Sequence, residues 1–183
     1  MKLLFLLFGL ATLFVESGCK PSPKVLPASS ASMALPARAG PRPKTSPAPV
    51  GTSLAHSQLS QNAPASLQDQ LIHRAAALEG VLLGETRISV PGARAFHLEA
   101  KAANGPKAAF MVEGEFAHLH PPEDGSLHLR LPPAWAQRAL DGGWAERHPR
   151  NPETLMVYGP RDQGELEVVW RLLRASYEYA HGL

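Results

Sequence analysis

Residues 115–131 read EFAHLHPPEDGSLHLRL, and this stretch decides the fold. Two alternating runs, 115–120 and 126–131, flank PPEDG, the pattern of two strands joined by a tight connection. Side chains two apart on a strand share a face, so His118 and His120 project together. If the turn pairs His120 with Ser126, His118 falls opposite His128, Leu119 opposite Leu127 and Ala117 opposite Leu129. That register keeps the leucines on one buried side, which is what pins a strand pair. It leaves His118, His120 and His128 on the other surface, with Phe116 and Arg130 beside them.

Working outward, residues 86–90, 94–99 and 108–112 read as further strands, with turn signals at Pro91-Gly92 and Asn104-Gly105. Glu113-Gly114 marks a bulge or bend. On the N-terminal side, Ser66 with Asp69 resembles a capping box. Leu67, Leu71, Ala75, Leu78 and Leu82 then recur at helical spacing until Gly80 or Gly84. On the C-terminal side Pro132-Pro133 opens a short helix that Gly142-Gly143 stops. Residues 154–158 read as a strand. Asp162 caps a last helix with the stripe Leu166, Val169, Trp170, Leu173, Tyr177 and Ala180. The expected fold is α+β: two layers, a mainly antiparallel sheet of about five strands, and N-terminal, middle and C-terminal helices on one face.

The rest of the chain differs in composition. No Phe, Trp or Tyr occurs between Val15 and Ala95, so that stretch has little apolar area to offset its conformational entropy. Residues 20–65 hold nine of the 18 prolines, five basic residues and no acid. They read as a disordered Pro/Ala/Ser-rich tether in which His56 is solvated. From residue 66 onward, 12 basic face 15 acidic residues, a net −3. The pI of about 8.9 therefore belongs to the tether, and the domain offers no basic face for nucleic acid.

Met1-Lys2 followed by the apolar run 3–15 has the form of a signal peptide, too short to span a bilayer. Cys19, the one cysteine, follows Ser17-Gly18 as in a bacterial lipobox, although Glu16 stands where that motif has an aliphatic residue. The alternative is ordinary cleavage after Ser17. The expected organisation is a signal at 1–19 ending in lipidated Cys19, a tether at 20–65 and a globular domain at 66–183. The membrane is then a partner through Cys19. The domain is placed in the cell envelope, facing periplasm or exterior, or is secreted.

The chemistry-bearing residues gather on the hairpin. His118, His120 and His128 are candidate ligands for a divalent metal, since imidazole suits zinc and similar ions. His148 and Glu146, in the loop GGWAERHP, are candidates to join His118 and His128 in catalysis, one imidazole serving as general base. Arg130, Trp144 and Arg161 are candidate ligand-binding residues with the three histidines. A polar sheet face that is merely His-rich is the third alternative. No phosphate loop or nucleophile elbow is present.

The runs GARAFHL, FMVEGEFAHLHPPEDGSLHLRLPP, GGWAERHP and MVYGPRDQGELEVVWRLLRASYEYA resemble the luciferase domain family of bacterial and fungal proteins. The resemblance covers nearly all of the globular part and implies oxygen-dependent light chemistry. The element order is also similar to small MmcQ/YjbR-like α+β domains, which implies DNA binding, and the acidic exported domain opposes that. The first functional expectation is an exported, lipid-anchored module binding a small ligand or envelope partner on its His-rich face. The competing expectations are a metal-dependent enzyme of hydrolase or oxygenase type using His118, His120 and His128, and a purely structural envelope module.

Overall fold

The computed structural model describes residues 34–47 and 55–183; the signal segment, Cys19 and residues 20–33 and 48–54 lie outside the described residues. The hairpin forms as expected. Strands β3 (Glu115–Leu119) and β4 (Leu127–Arg130) pair Ala117 with Leu129, His118 with His128 and Leu119 with Leu127. The His120 amide donates to the Ser126 carbonyl at 2.9 Å. Gly125 closes the turn at φ +70°, a conformation a side chain disfavours.

With β1 (Val81–Glu85), β2 (Arg94–Leu98), β5 (Ala145–His148) and β6 (Asn151–Val157), the hairpin builds one antiparallel sheet of order β1-β2-β3-β4-β6-β5. Helices α1 (Ala65–Ala76), α2 (Pro133–Asp141) and α3 (Gln163–His181) form the second layer. The long helix α3 lies on β3 and β4, α1 packs on β1 and α3, and α2 on β5 and α3. The core between the layers holds Leu71, Phe96, Leu119, Leu127, Leu129, Leu155, Leu166, Leu172 and Leu173, all nearly inaccessible. The fold is thus α+β, with six strands. No helix among the described residues is long and apolar enough to cross a membrane.

Several local expectations are corrected. Helix α1 starts after Pro64 without a side-chain cap, so Ser66 does not cap it. It ends at Ala76, and Gly80 (φ +73°) reverses the chain into β1. Leu82 therefore belongs to an edge strand and is half exposed. Residues 86–90 do not form a strand but a run of bends, and residues 107–109 form a single 3-10 turn after Pro106. The tight reversal at Glu113 (φ +32°) and Gly114 (φ +83°) leaves only Val112 bridged to Glu115. At the other end of α3, Asp162 is the cap, accepting from the Glu165 amide at 2.9 Å.

A bulge in β3 overturns the face assigned to Phe116. Phe96 pairs with Ala117 and His97 with Glu115, so Phe116 is the extra residue. A bulge re-aims the side chains on one side of it. Phe116 turns to the helix layer, its ring centroid 6.2 Å from that of Tyr177, and Glu115 turns to the histidine face.

The residues read as tether are a second departure. Residues 34–47 and 55–64 lie packed on the domain as an arm. The Arg38 amide donates to the Gly142 carbonyl, Trp144 Nε1 to the Pro36 carbonyl, and Arg161 Nη2 to the Ala39 carbonyl. Thr45 bridges to Gln58, and Gln58 Oε1 accepts from the Gly159 amide at 2.9 Å. Side-chain and backbone hydrogen bonds here stand in for the missing aromatics, which is why composition concealed the packing. His56, expected to be solvated, is 2% exposed.

A Cβ on Gly125 would sit 2.6 Å from Gln68 Nε2, which is fixed by the Ala63 and Pro122 carbonyls. Gly125→Ala should destabilise the fold by about 1–3 kcal/mol, from backbone strain and that contact. A urea midpoint equal to that of the parent chain would contradict this account of the turn.

Candidate functional site

The sheet face away from the helices carries four imidazoles, and the arm over it adds a fifth. His118 and His120 come from β3 and the residue that follows it, His128 from β4, His148 from the end of β5 and His56 from the arm. Ring centroids of His118 and His128 lie 5.1 Å apart, of His120 and His128 4.5 Å, of His128 and His148 5.2 Å, and of His56 and His148 5.1 Å. His128 is the hub, in ring contact with the other four.

Carboxylates hold the rings. Glu115, completely buried, takes His118 Nδ1 at 2.7 Å and the Thr86 hydroxyl at 3.1 Å. Asp124 Oδ2 takes His120 Nδ1 at 2.7 Å, while its Oδ1 accepts from the Ser126 hydroxyl and amide and from the Gln58 amide. Glu146 Oε1 meets His56 Nε2 at 2.6 Å; its Oε2 takes the Tyr158 hydroxyl at 2.7 Å and the Arg42 guanidinium. A carboxylate on Nδ1 fixes the tautomer that leaves Nε2 with a lone pair. His118 Nε2 faces His128 Nδ1 at 3.2 Å, and His120 Nε2 lies 3.0 Å from the Ser89 hydroxyl. His128 Nε2 and Glu115 Oε2 are buried without a hydrogen-bond partner.

These surroundings disfavour the charged form of His118, His128 and His148. Burial lowers the His118 pKa, against the hydrogen bond that its Nδ1–H donates to Glu115. Burial, then the neighbouring imidazoles, holds His128 well below the ordinary range. Burial, with His56 and Arg150, pulls His148 to about 4. For Asp124, burial acts upward, but the His120 and Ser126 hydrogen bonds outweigh it and its pKa falls. Glu146 behaves likewise: burial raises it, and His56, Arg42, Tyr158 and Thr45 outweigh that to bring it to about 2. Burial and Glu146 push the Tyr158 phenol to about 12.

His118, His120 and His128 each offer one nitrogen, all within 4.8 Å of one another. Nitrogens bound tetrahedrally at ~2.0–2.1 Å lie about 3.3 Å apart, so small ring rotations would let these three hold one ion. Two clefts adjoin the triad, one of about 340 Å³ lined by His118 and His128 and one of about 210 Å³ reached by His128. Ile88, His128, His148 and Arg150 line both; Met111 and Thr154 add to the larger, His56 and Ser89 to the smaller.

Of the residues expected at the site, His118, His120, His128, His148 and Glu146 are brought together. Arg130 is not: it pairs with Glu153 at 2.7 Å and lines a different cleft, with Leu131 and Gln137. Trp144 is core, its indole N–H held by Pro36, and Arg161 braces Glu165 and the arm. Sequence reasoning missed His56 and Ser89. Ser89 sat in a segment read as strand, and His56 in one read as spacer.

Residues 113–176 match the family model described as Luciferase domain. The match contains Glu115, His118, His120, Asp124, His128, Glu146 and His148. Proteins named "Luciferase" from Armillaria gallica, Armillaria mellea and Neonothopanus nambi are each 36% identical over 73 residues, covering 36% of this chain and 27% of theirs. The chain thus spans about a quarter of the length of these relatives. No solved structure matches it.

The Glu146 pairing has a pH signature. Its folded pKa of about 2 lies below its ordinary 4.5. The stabilisation is therefore complete above the unfolded value and is lost as pH falls through the folded one. The urea midpoint of the parent chain should drop more steeply than that of Glu146→Gln between about pH 5 and pH 2.5. Parallel curves would show that Glu146 gains nothing from its partners.

Proposed function

We propose that this luciferase-domain chain is a metal-dependent enzyme of oxygenase or hydrolase type. In this reading His118, His120 and His128 hold one divalent transition ion, and the adjoining cleft takes a small organic substrate. The observation that carries the proposal is the convergence of three buried imidazoles, two of them oriented by carboxylates. Metal-ligating histidines ordinarily donate their second N–H to such a partner. Three protein ligands leave a coordination position open, as catalytic sites do and closed structural sites do not. A bound ion would supply Lewis acidity, or with a redox-active metal the means to engage oxygen. Glu115 and Asp124 would fix His118 and His120, His148 would offer a neutral base at the cleft wall, and Ile88 and Met111 would contact the substrate body. The relatives' name favours the oxygenase form over the hydrolase form.

A second reading is binding without metal, the cleft holding a small ligand against the imidazoles. Its support is the hydrogen bonding of His118 to His128 and of His120 to Ser89, which partly satisfies the rings with no ion. We propose further that the domain is exported and anchored through Cys19, on the grounds of the apolar run and the small residues before the cysteine.

Mass spectrometry of the purified, untagged full chain should find near one equivalent of metal. The His118→Ala/His120→Ala variant should lose it, and Asp124→Asn should weaken binding ~10–100-fold. A chain that stays metal-free after incubation with zinc, iron, copper or manganese would leave the second reading, to be followed by ligand-induced melting shifts. For the anchor, cells fed labelled palmitate should yield labelled parent chain and unlabelled Cys19→Ser; an unlabelled parent chain would exclude lipidation.

A further inference from the structure

A different cleft, of about 430 Å³, lies where the arm crosses the free edge of β5, and no histidine lines it. Its lining includes Arg38, Arg42, Arg147, Leu140 and Tyr158. Arg38 is the unusual member. Its side chain is 2% exposed, yet Nε and Nη2 have no hydrogen-bond partner. Glu165 is the nearby carboxylate, 3.7 Å from Nη2, and Arg161 already holds it through Nε and the backbone amide, each at 2.9 Å. Arg38 Nη1 and Arg161 Nη1 also share one acceptor, Gln61 Oε1. Two guanidiniums thus divide one carboxylate and one amide oxygen.

A guanidinium does not shed its proton in a protein, so this buried charge must be met by a counter-charge. Glu146 lines the cleft as well, but its oxygens are committed to His56, Tyr158 and Arg42. Arg42 and Arg147 are exposed, and Arg147 has one terminal nitrogen on the Pro152 carbonyl. Arginine forks match carboxylate and phosphate oxygens two at a time. Leu140, Pro41 and Ala145 add apolar surface for an attached body, and the volume suits a small organic molecule.

We propose that this cleft is a binding site for a small organic oxyanion, a carboxylate or phosphate, held by Arg38, Arg42 and Arg147. It is separate from the imidazole cluster and does not depend on a metal there.

The test is calorimetric titration of the full chain with phenyl phosphate and with benzoate at low ionic strength. At least one probe should bind saturably, and the tighter of the two identifies the oxyanion. Arg38→Met should weaken it about tenfold or more. This variant is expected to fold, because Glu165 keeps Arg161. If circular dichroism shows that it does not, Arg147→Ala decides by the same criterion. No saturable heat with either probe up to about 10 mM, or parent-like affinity in the deciding variant, overturns the proposal.

Discussion

The hydrogen bond between a buried carboxylate and a histidine Nδ1 is the interaction on which the rest of this structure depends. Isolated charges and unpaired polar rings are expensive in a dry interior. Here Glu115 is entirely buried and His118 and His120 are each 2% exposed. Neither class of group would be tolerated alone. Together, the imidazole N–H stabilises the carboxylate and the carboxylate orients the ring, so a sheet face that would ordinarily meet water is closed instead. The arm completes the closure, because Gln58 donates to Asp124 and His56 engages Glu146.

That interaction needs the bulge at Phe116. In a regular strand Glu115 would lie on the face opposite His118, three residues away, and Phe116 would occupy the imidazole face. One extra residue in β3 exchanges the two. The apolar ring is delivered to Phe96 and Tyr177 in the core, and the carboxylate to His118. The Ser176 hydroxyl reaches the Phe116 carbonyl at 3.3 Å, so α3 braces the bulge from beneath. Packing on one side of the sheet thereby sets polar geometry on the other.

The register of the central hairpin was legible because alternation and the placing of leucines admit one answer. The capped helix α3 and its apolar stripe were legible for the same reason: periodicity is a local property. The bulge was not, since nothing in EFAHLH distinguishes a regular strand from one with Phe116 displaced; the choice is made by Tyr177 sixty-one positions on. Strand β1 was lost to a coincidence, Leu78 and Leu82 continuing a helical spacing past the point where the chain turns. Residues 34–47 and 55–64 were misread because low aromatic content argues against a core, whereas this arm is attached chiefly by hydrogen bonds and buried Arg, His and Gln side chains. Composition measures the hydrophobic contribution to order and is silent about the polar one.

The family match divides the site along that same line. Residues 113–176 contain the three convergent imidazoles and the carboxylates behind them. His56, Ser89 and Arg38 lie outside it, on the arm and on the loop after β1. The groups that would hold an ion therefore belong to the shared segment, while His56 and Ser89, which roof the cluster, and Arg38 and Arg42, which join Arg147 of that segment in the arginine cleft, come from elsewhere in the chain. Chemistry fixed by a β-hairpin and its bulge demands sub-ångström placement and tolerates little change. A roof attached by an arm can be altered without disturbing that placement, so under the function we propose substrate selection would reside in the arm and in residues 86–92 rather than on β3 and β4. The arginine cleft follows the same logic, since Arg38 and Arg42 from the arm meet Arg147 from the edge strand β5, away from the hairpin whose geometry must be preserved.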